Sequence, residues 1–220
     1  MRTLSSTVNR MLRWIFFAFV VRPVILVLLG LNVRHRERLP VRGPAVVTAN
    51  HNSHLDAMVL LSLLPHRQLH RIRPVAAEDY FLRNRALAWF STRIVGVLPI
   101  ARGRTSPGED PLADCGEALR RGEILIFFPE GSRGEPERMA RFRGGVAKLA
   151  ARHPQVPVTP VYMHGLGKAL PKGEALLVPF FVDIFVGEAL RGQDCPEGFL
   201  DELRSRMETL QSEGNFASWE

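Results

Sequence analysis

Acidic residues are almost missing from the first third of this 220-residue chain, where positions 1–77 hold eleven arginines against Glu37 and Asp56 alone. The formal charge of +7 is therefore local, since positions 78–220 are slightly acidic. A basic stretch of this kind suits anionic lipid head groups or nucleic acid, and its neighbours must decide between them. Lysine is scarce too, with 26 of the 29 basic residues being arginine. The guanidinium fork suits phosphate, although compositional drift produces the same bias. Cysteine is limited to Cys115 and Cys195, with no C-x-x-C pair. That spacing supports neither a zinc knuckle nor a disulfide scaffold, so no metal site is expected and both thiols read as ordinary groups of a reducing compartment. No segment is low in complexity, and 46% apolar residues suffice for one sizeable core. Disordered, collagen-like and multi-spanning membrane classes are excluded on these grounds.

What is present begins with a long apolar run, Trp14–Val33, reading W-I-F-F-A-F-V-V-R-P-V-I-L-V-L-L-G-L-N-V. As a helix it could just cross a hydrocarbon core of ~30 Å. Arg22 at its centre would cost ~2.5–3.5 kcal/mol on insertion scales, and Pro23 removes an amide donor from the same turn. Two apolar pieces joined at Arg22-Pro23 fit a kinked or hairpin helical element lying within one leaflet. Arg2, Arg10, Arg13, Arg34, Arg36 and Arg38 flank it as partners for membrane phospholipids. A spanning anchor, a helix buried against the body and a signal peptide are the alternatives, the last weakened by Arg22 and by the lack of a clear A-x-A site. Nucleic acid ranks last as a partner and is not expected, because the basic stretch adjoins a greasy helix with no stacking platform or recognition motif.

From Pro44 onward, short β-branched runs at 45–49, 73–77, 97–101, 123–128 and 156–162 alternate with helical patterns near 54–65, 79–95, 110–121 and 143–153. Residues 175–187 read as one or two further strands and 196–212 as a closing helix. The fold class is α/β, a mixed, mostly parallel sheet flanked by helices, with an N-terminal apolar helical membrane element. The junction near Arg34–Arg42 divides a membrane-associating arm, residues 1–42, from an α/β domain, residues 43–220.

Such sheets carry their chemistry just past the C-terminal ends of strands, and three stretches there hold unusual residues. The first reads A-V-V-T-A-N-H-N-S-H-L-D, a strand entering a polar turn and then an apolar helix. His51 and Asp56, five apart, would sit ~140° apart within one helix. If the helix starts at Ser53, His51 can fold back onto the Asp56 carboxylate as a general base. The same residues also fit a capping box, in which Ser53 and Asp56 only satisfy amides at a helix start. His54 is read as solvent-facing. The second stretch, I-L-I-F-F-P-E-G-S-R-G, offers Gly131 and Gly134 for close backbone approach, Ser132 as a donor and Arg133 as a fork for phosphate. An ordinary polar turn fits it as well. Arg102, after the 97–101 strand, reaches the same sheet edge or is a surface arginine. In the third, V-P-V-T-P-V-Y-M-H-G, Pro157 and Pro160 suit a strand end lining a groove. His164 there is read as a satisfied turn histidine rather than a second base. The basic run Arg138–Lys148 suits either a phosphate-bearing co-substrate or a solvated helix start.

Taken in order, these stretches resemble the glycerolipid acyltransferases, the family of 1-acylglycerol-3-phosphate (lysophosphatidate) acyltransferases. Its motif N-H-x-S-x-x-D is met by Asn50, His51, Ser53 and Asp56, and G-x-x-x-I-x-R by Gly96, Ile100 and Arg102. F-P-E-G-[ST]-R falls on Phe128 through Arg133, and V-P-[VI]-x-P-V on Val156 through Val161. The resemblance implies transfer of a fatty acyl group from acyl-CoA or acyl carrier protein, as co-substrate with no bound cofactor, to a lysophospholipid hydroxyl. It implies His51 as base and Asp56 as its orienter. Asn50, Ser53, Arg102, Glu130, Gly131, Ser132 and Arg133 are then substrate-binding. It also implies an α/β sandwich with a membrane-embedded N-terminal hairpin, on the cytoplasmic face of the cell membrane. One departure is the unusually charged stretch E-P-E-R-M-A-R after the third motif.

Overall fold

The computed structural model describes residues 2–53, 55–78, 84–101, 110–135, 137–169 and 180–216. Its strands are β1 (Leu29–Arg34), β2 (Ala45–Ala49), β3 (Ile72–Ala77), β4 (Leu98–Ile100), β5 (Ile124–Phe127), β6 (Val158–His164) and β7 (Phe180–Val186). Together they form one sheet in the order β1-β7-β6-β2-β5-β3-β4. Every pairing is parallel except β6 with β7. The expected mixed, mostly parallel sheet is thus realised, and β2 to β6 all end at one edge.

The central strands are apolar along their whole length because helices cover both faces, as parallel sheets require. Alternate residues divide between two cores. Ala45, Val47, Ala49, Ile124 and Ile126 pack with the N-terminal arm and α3 (Leu55–Leu63). Val46, Leu125 and Phe127 face α5 (Ala113–Arg120), α6 (Gly145–Arg152) and α8 (Phe199–Glu213). Two shorter helices, α4 (Arg85–Trp89) and α7 (Leu166–Ala169), complete the described set.

The arm departs from expectation in two ways. First, α1 (Arg2–Phe16) continues through a π-helical turn, Phe17–Val21, into α2 (Arg22–Leu28), with no hairpin. Pro23 has no amide to offer, and the Arg22 N–H bonds five residues back to the Phe17 carbonyl, so one wide turn absorbs the break. Second, the apolar run does not stay helical to Val33, because Leu29–Arg34 pairs in parallel with β7. Hydropathy cannot separate a helix from a strand here. Gly30 disfavours the helix, and the open edge of β7 offers a full ladder of hydrogen bonds.

Phe17, Val21, Ile25 and Leu29 bury one stripe of the arm against the sheet, while Phe19, Leu26 and Val27 on the outside are 69–80% exposed. Each fully buried apolar side chain contributes ~1.5–3 kcal/mol. The inner stripe is therefore part of the fold's own core.

The flanking arginines are also partly committed. Arg22 donates to the Ser62 carbonyl and Arg36 to that of Leu63, both at the C-terminal end of α3, where a cation offsets the helix dipole. Arg13 is buried and donates to the Ile72 carbonyl at 2.9 Å, Arg38 donates to that of Val186, and Arg34 lies over the Phe185 ring. Arg34, Arg36 and Arg38 thus hold protein groups, and Arg13 does so through one of its nitrogens. Hydropathy flags the charge but not the carbonyl it meets.

Candidate active site

β2 ends at Ala49, and the side chain of Asn50 extends its ladder after the backbone has turned away. Its Nδ2 donates to the Met163 carbonyl at 2.8 Å and its Oδ1 accepts the Met163 amide at 2.7 Å. Asn52 donates to the same carbonyl at 3.0 Å. The turn is thereby pinned to β6 while its peptide N–H groups stay available. Those of Asn52 and Ser53 donate to Asp56 Oδ2 at 2.6 and 2.9 Å, and the Leu55 N–H donates to Ser53 Oγ at 3.3 Å. The capping box read from the sequence is present.

The same carboxylate oxygen lies 2.9 Å from His51 Nδ1, so capping and pairing coexist on Asp56. Asp56 is fully buried, and that burial pushes its carboxyl above the ordinary range, against the pull of His51 and of the Ser53 and Asn52 amides. The contact fixes the proton of neutral His51 on Nδ1 and leaves Nε2 as the acceptor. Nε2 has no hydrogen-bond partner among the described residues, and the His51 side chain is 21% exposed. Phe128 stacks on the ring at 4.2 Å between centroids, which keeps one face dry.

The turn after β5 holds the backbone of His51 from both sides. Glu130 Oε1 accepts the His51 N–H at 2.8 Å, and the His51 carbonyl accepts the Gly134 N–H at 3.3 Å. Glu130 Oε2 accepts the Ala140 N–H at 2.8 Å, so this buried carboxylate staples two loops together. Burial pushes its pKa up, and the two amides oppose the shift. Asn50, Ser53 and Glu130, expected as substrate-binding residues, are buried and also hold the turn. Sequence spacing does not reveal that second task.

Beyond these staples lie Gly131, Ser132 and Arg133. Gly131 adopts φ +73°, and a Cβ there would come within 2.8 Å of Arg143 Cδ, so only glycine lets that side chain lie across the turn. Ser132 is exposed, and Arg133 is half-buried with no hydrogen bond or ion pair among the described residues. Arg143 is likewise unpaired among them, and its backbone N–H donates to the Pro129 carbonyl at 2.7 Å. Arg143 therefore lies across the glycine turn, and Arg133 is part of that turn. Arg143 was not singled out within the Arg138–Lys148 run, although its place two residues before Gly145 and the α6 start is a weak signal. Arg102 and His54 lie outside the described residues. His164 is buried among protein groups. Its Nδ1 lies 2.9 Å from Glu137 Oε2, and Phe216 stacks over the ring at 3.7 Å.

A histidine oriented by a buried acid, next to unpaired cations, can take a proton from a hydroxyl whose substrate carries an anion. Comparison with known proteins shows the family. Residues 30–164 match the family model described as acyltransferase. The chain belongs to the acyltransferase family. It is 30% identical over 179 residues to the chloroplastic 1-acyl-sn-glycerol-3-phosphate acyltransferase of Arabidopsis thaliana, covering 80% of this chain and 48% of that one. With the human 1-acyl-sn-glycerol-3-phosphate acyltransferase beta it shares 34% identity over 134 residues, 60% of this chain and 46% of the relative. The chain thus spans about half the length of the curated relatives it matches. The crystal structure of the 1-acyl-sn-glycerophosphate acyltransferase from Thermotoga maritima superposes over 100% of both chains, with a TM-score of 0.71 at 17% identity, which extends the likeness of fold to the arm.

Proposed function

We propose that this acyltransferase-family chain moves a fatty acyl group from an acyl-CoA or acyl carrier protein thioester to the free hydroxyl of 1-acylglycerol-3-phosphate, giving phosphatidate. The observation that carries this reading is the 2.9 Å contact of His51 Nδ1 with the buried Asp56, which leaves Nε2 as the acceptor. The printed names of the relatives support the choice of acceptor.

In the reaction, His51 Nε2 accepts the hydroxyl proton as the substrate oxygen bonds to the thioester carbon, and Asp56 stabilises the imidazolium. The tetrahedral oxyanion then collapses, the carbon–sulfur bond breaks, and the thiolate leaves with the proton returned from His51. No enzyme nucleophile and no bound cofactor is needed, because a thiolate leaves readily. One positioned base contributes roughly 10²–10⁴-fold, and alignment of two bound substrates supplies further acceleration. Arg133 and Arg143 receive the acceptor's phosphate, with Arg102 added from the second motif.

The bare outer face of the arm, which includes Phe19, Leu26 and Val27, supports seating in one membrane leaflet. Thr7–Leu28 is also long and apolar enough to cross a membrane, but a bilayer-spanning helix would have to strip its inner stripe from the sheet. The two free thiols, read as groups of a reducing compartment, support a seat on the cytoplasmic face. The test is thiol release and product mass from acyl-CoA and acyl carrier protein donors with a panel of lysolipids. Turnover confined to a lysolipid without the glycerol phosphate would overturn the acceptor, and an absence of thiol release with every lysolipid would overturn the activity.

A further inference from the structure

The parallel strands put His51 at their C-terminal edge, but a second concentration of positive charge lies at the opposite edge, where β3 begins. There the 3-10 helix His66–Arg71 leads into β3 and packs on α1. Between them is a cavity of about 440 Å³ whose lining includes Arg10, Arg13, Trp14, His66, Arg67 and His70. A second cavity of about 340 Å³ shares His70 and adds Arg42 and Arg71. Both open to the surface.

Three features mark this as a built anion site. Among the described residues, no acidic side chain lines either cavity. Arg10, Arg42, Arg67 and Arg71 make no ion pair among the described residues, whereas Arg73 nearby is paired with Glu123 at 2.9 Å. One buried donor of a residue lining the first cavity, Arg13 Nε, has no hydrogen-bond partner among the described residues. A buried nitrogen left without a partner costs free energy that an arriving anion would relieve. The field already acts on the histidines. Burial and Arg22 lower the pKa of His66, and burial with Arg10 and Arg71 lowers that of His70.

The rim identifies the source of the anion. Met11 and Trp14 line the cavity and are 55% and 47% exposed, and Leu12 and Ile15 beside them on α1 are also exposed. Trp14 packs edge-on against the His66 ring at 5.3 Å, an aromatic body over a polar base. A soluble phosphate compound would gain nothing from this greasy border.

We infer that the cavity between α1 and the His66–Arg71 helix binds the phosphate head group of an anionic membrane phospholipid, distinct from the acceptor substrate. The site rests on the membrane-seated reading of the arm and sharpens it. β3 alone spans six residues, or ~20 Å, so a lipid held here is remote from His51 and does not enter the reaction. The arm then touches the membrane at both edges of the sheet, through the head-group site at the β3 start and through α2 near the catalytic edge.

The test uses the full chain with vesicles of phosphatidylcholine, vesicles containing phosphatidylglycerol, and inorganic phosphate. Arg10→Gln with Arg67→Gln should weaken binding to phosphatidylglycerol vesicles by about tenfold. Binding to phosphatidylcholine vesicles and turnover of detergent-dispersed substrate should not change. Both arginines are exposed and unpaired, so folding is not at stake, and His66→Gln gives an independent second variant whose smaller loss should appear on the same vesicles. Equal weakening by the exposed pair Arg85→Gln with Arg93→Gln would mean diffuse attraction only and overturn the site. Saturable quenching of Trp14 fluorescence by millimolar inorganic phosphate without vesicles would overturn the lipid as its source. Failure of the native chain to bind any vesicle would sink the membrane reading itself, whereas lost turnover with selective vesicle binding intact would sink only the proposed reaction.

Discussion

The turn after β2 and the turn after β5 meet at His51, yet they spend their polar groups in opposite ways. In the first, Asn50, Asn52, Ser53 and Asp56 are buried, and each is bonded to a neighbour. In the second, Glu130 is spent in the same manner, but Ser132, Arg133 and Arg143 are left open to a ligand. The difference separates tasks. Interior bonds fix the direction of one imidazole and so govern the rate, while unspent cations can only govern binding.

Substitutions test that division in descending order of effect. His51→Ala should lower kcat by roughly 10²–10⁴-fold with vesicle binding unchanged, measured by thiol release. Near-native turnover would remove His51 from the chemistry. Asp56→Asn should cost on the order of 10²-fold in kcat, because the amide cannot favour the imidazolium. In the native enzyme, burial raises the Asp56 carboxyl, so it takes up a proton at a higher pH than a free carboxyl does as the solution is acidified. The kcat/KM profile should therefore fall on its acid side, and Asp56→Asn should move that limb without removing it, because His51 must still be unprotonated to act as the base. The measured midpoint belongs to the pair.

Glu130→Gln should lose about tenfold in kcat, since an amide presents one acceptor where two peptide N–H groups need one each. Because the folded-state pKa of Glu130 is raised, its charged form is disfavoured in the fold. Its contribution is most favourable below the ordinary carboxyl pKa and is lost as pH rises through the folded value. Thermal melts should show Glu130→Gln less destabilised at neutral pH, relative to native, than at acid pH. Arg133→Ala should raise the acceptor KM by about 10–10²-fold with little change in kcat, the size of a charge-assisted contact. The more exposed Arg143→Ala should raise it only a few-fold. A fall in kcat with unchanged KM for either arginine would erase the contrast between the turns.

The spacing N-H-x-S-x-x-D carries enough information for the His51–Asp56 contact, because a five-residue separation across a helix start has few ways to close. The roles of Glu130 and Asn50 do not follow from spacing. Both look like ligand-binding residues in a motif, and each also bonds backbone groups from strands or loops far along the chain, Ala140 for one and Met163 for the other. The arm shows the same limit. Its apolar run and its Arg22-Pro23 break were visible, but the π turn, the Arg22 contact with α3 and the conversion of Leu29–Arg34 to a strand depend on partners supplied by Ser62 and β7.

Local pattern alone determined the alternation of strands and helices, the basic N-terminal third and the histidine–acid pair, since each rests on contacts among near neighbours or on composition. Tertiary structure decided which arginines are free and which carboxylates are spent. A charged group keeps its availability only if no distant carbonyl or amide is folded onto it, and that is a property of three-dimensional proximity that no stretch of sequence contains.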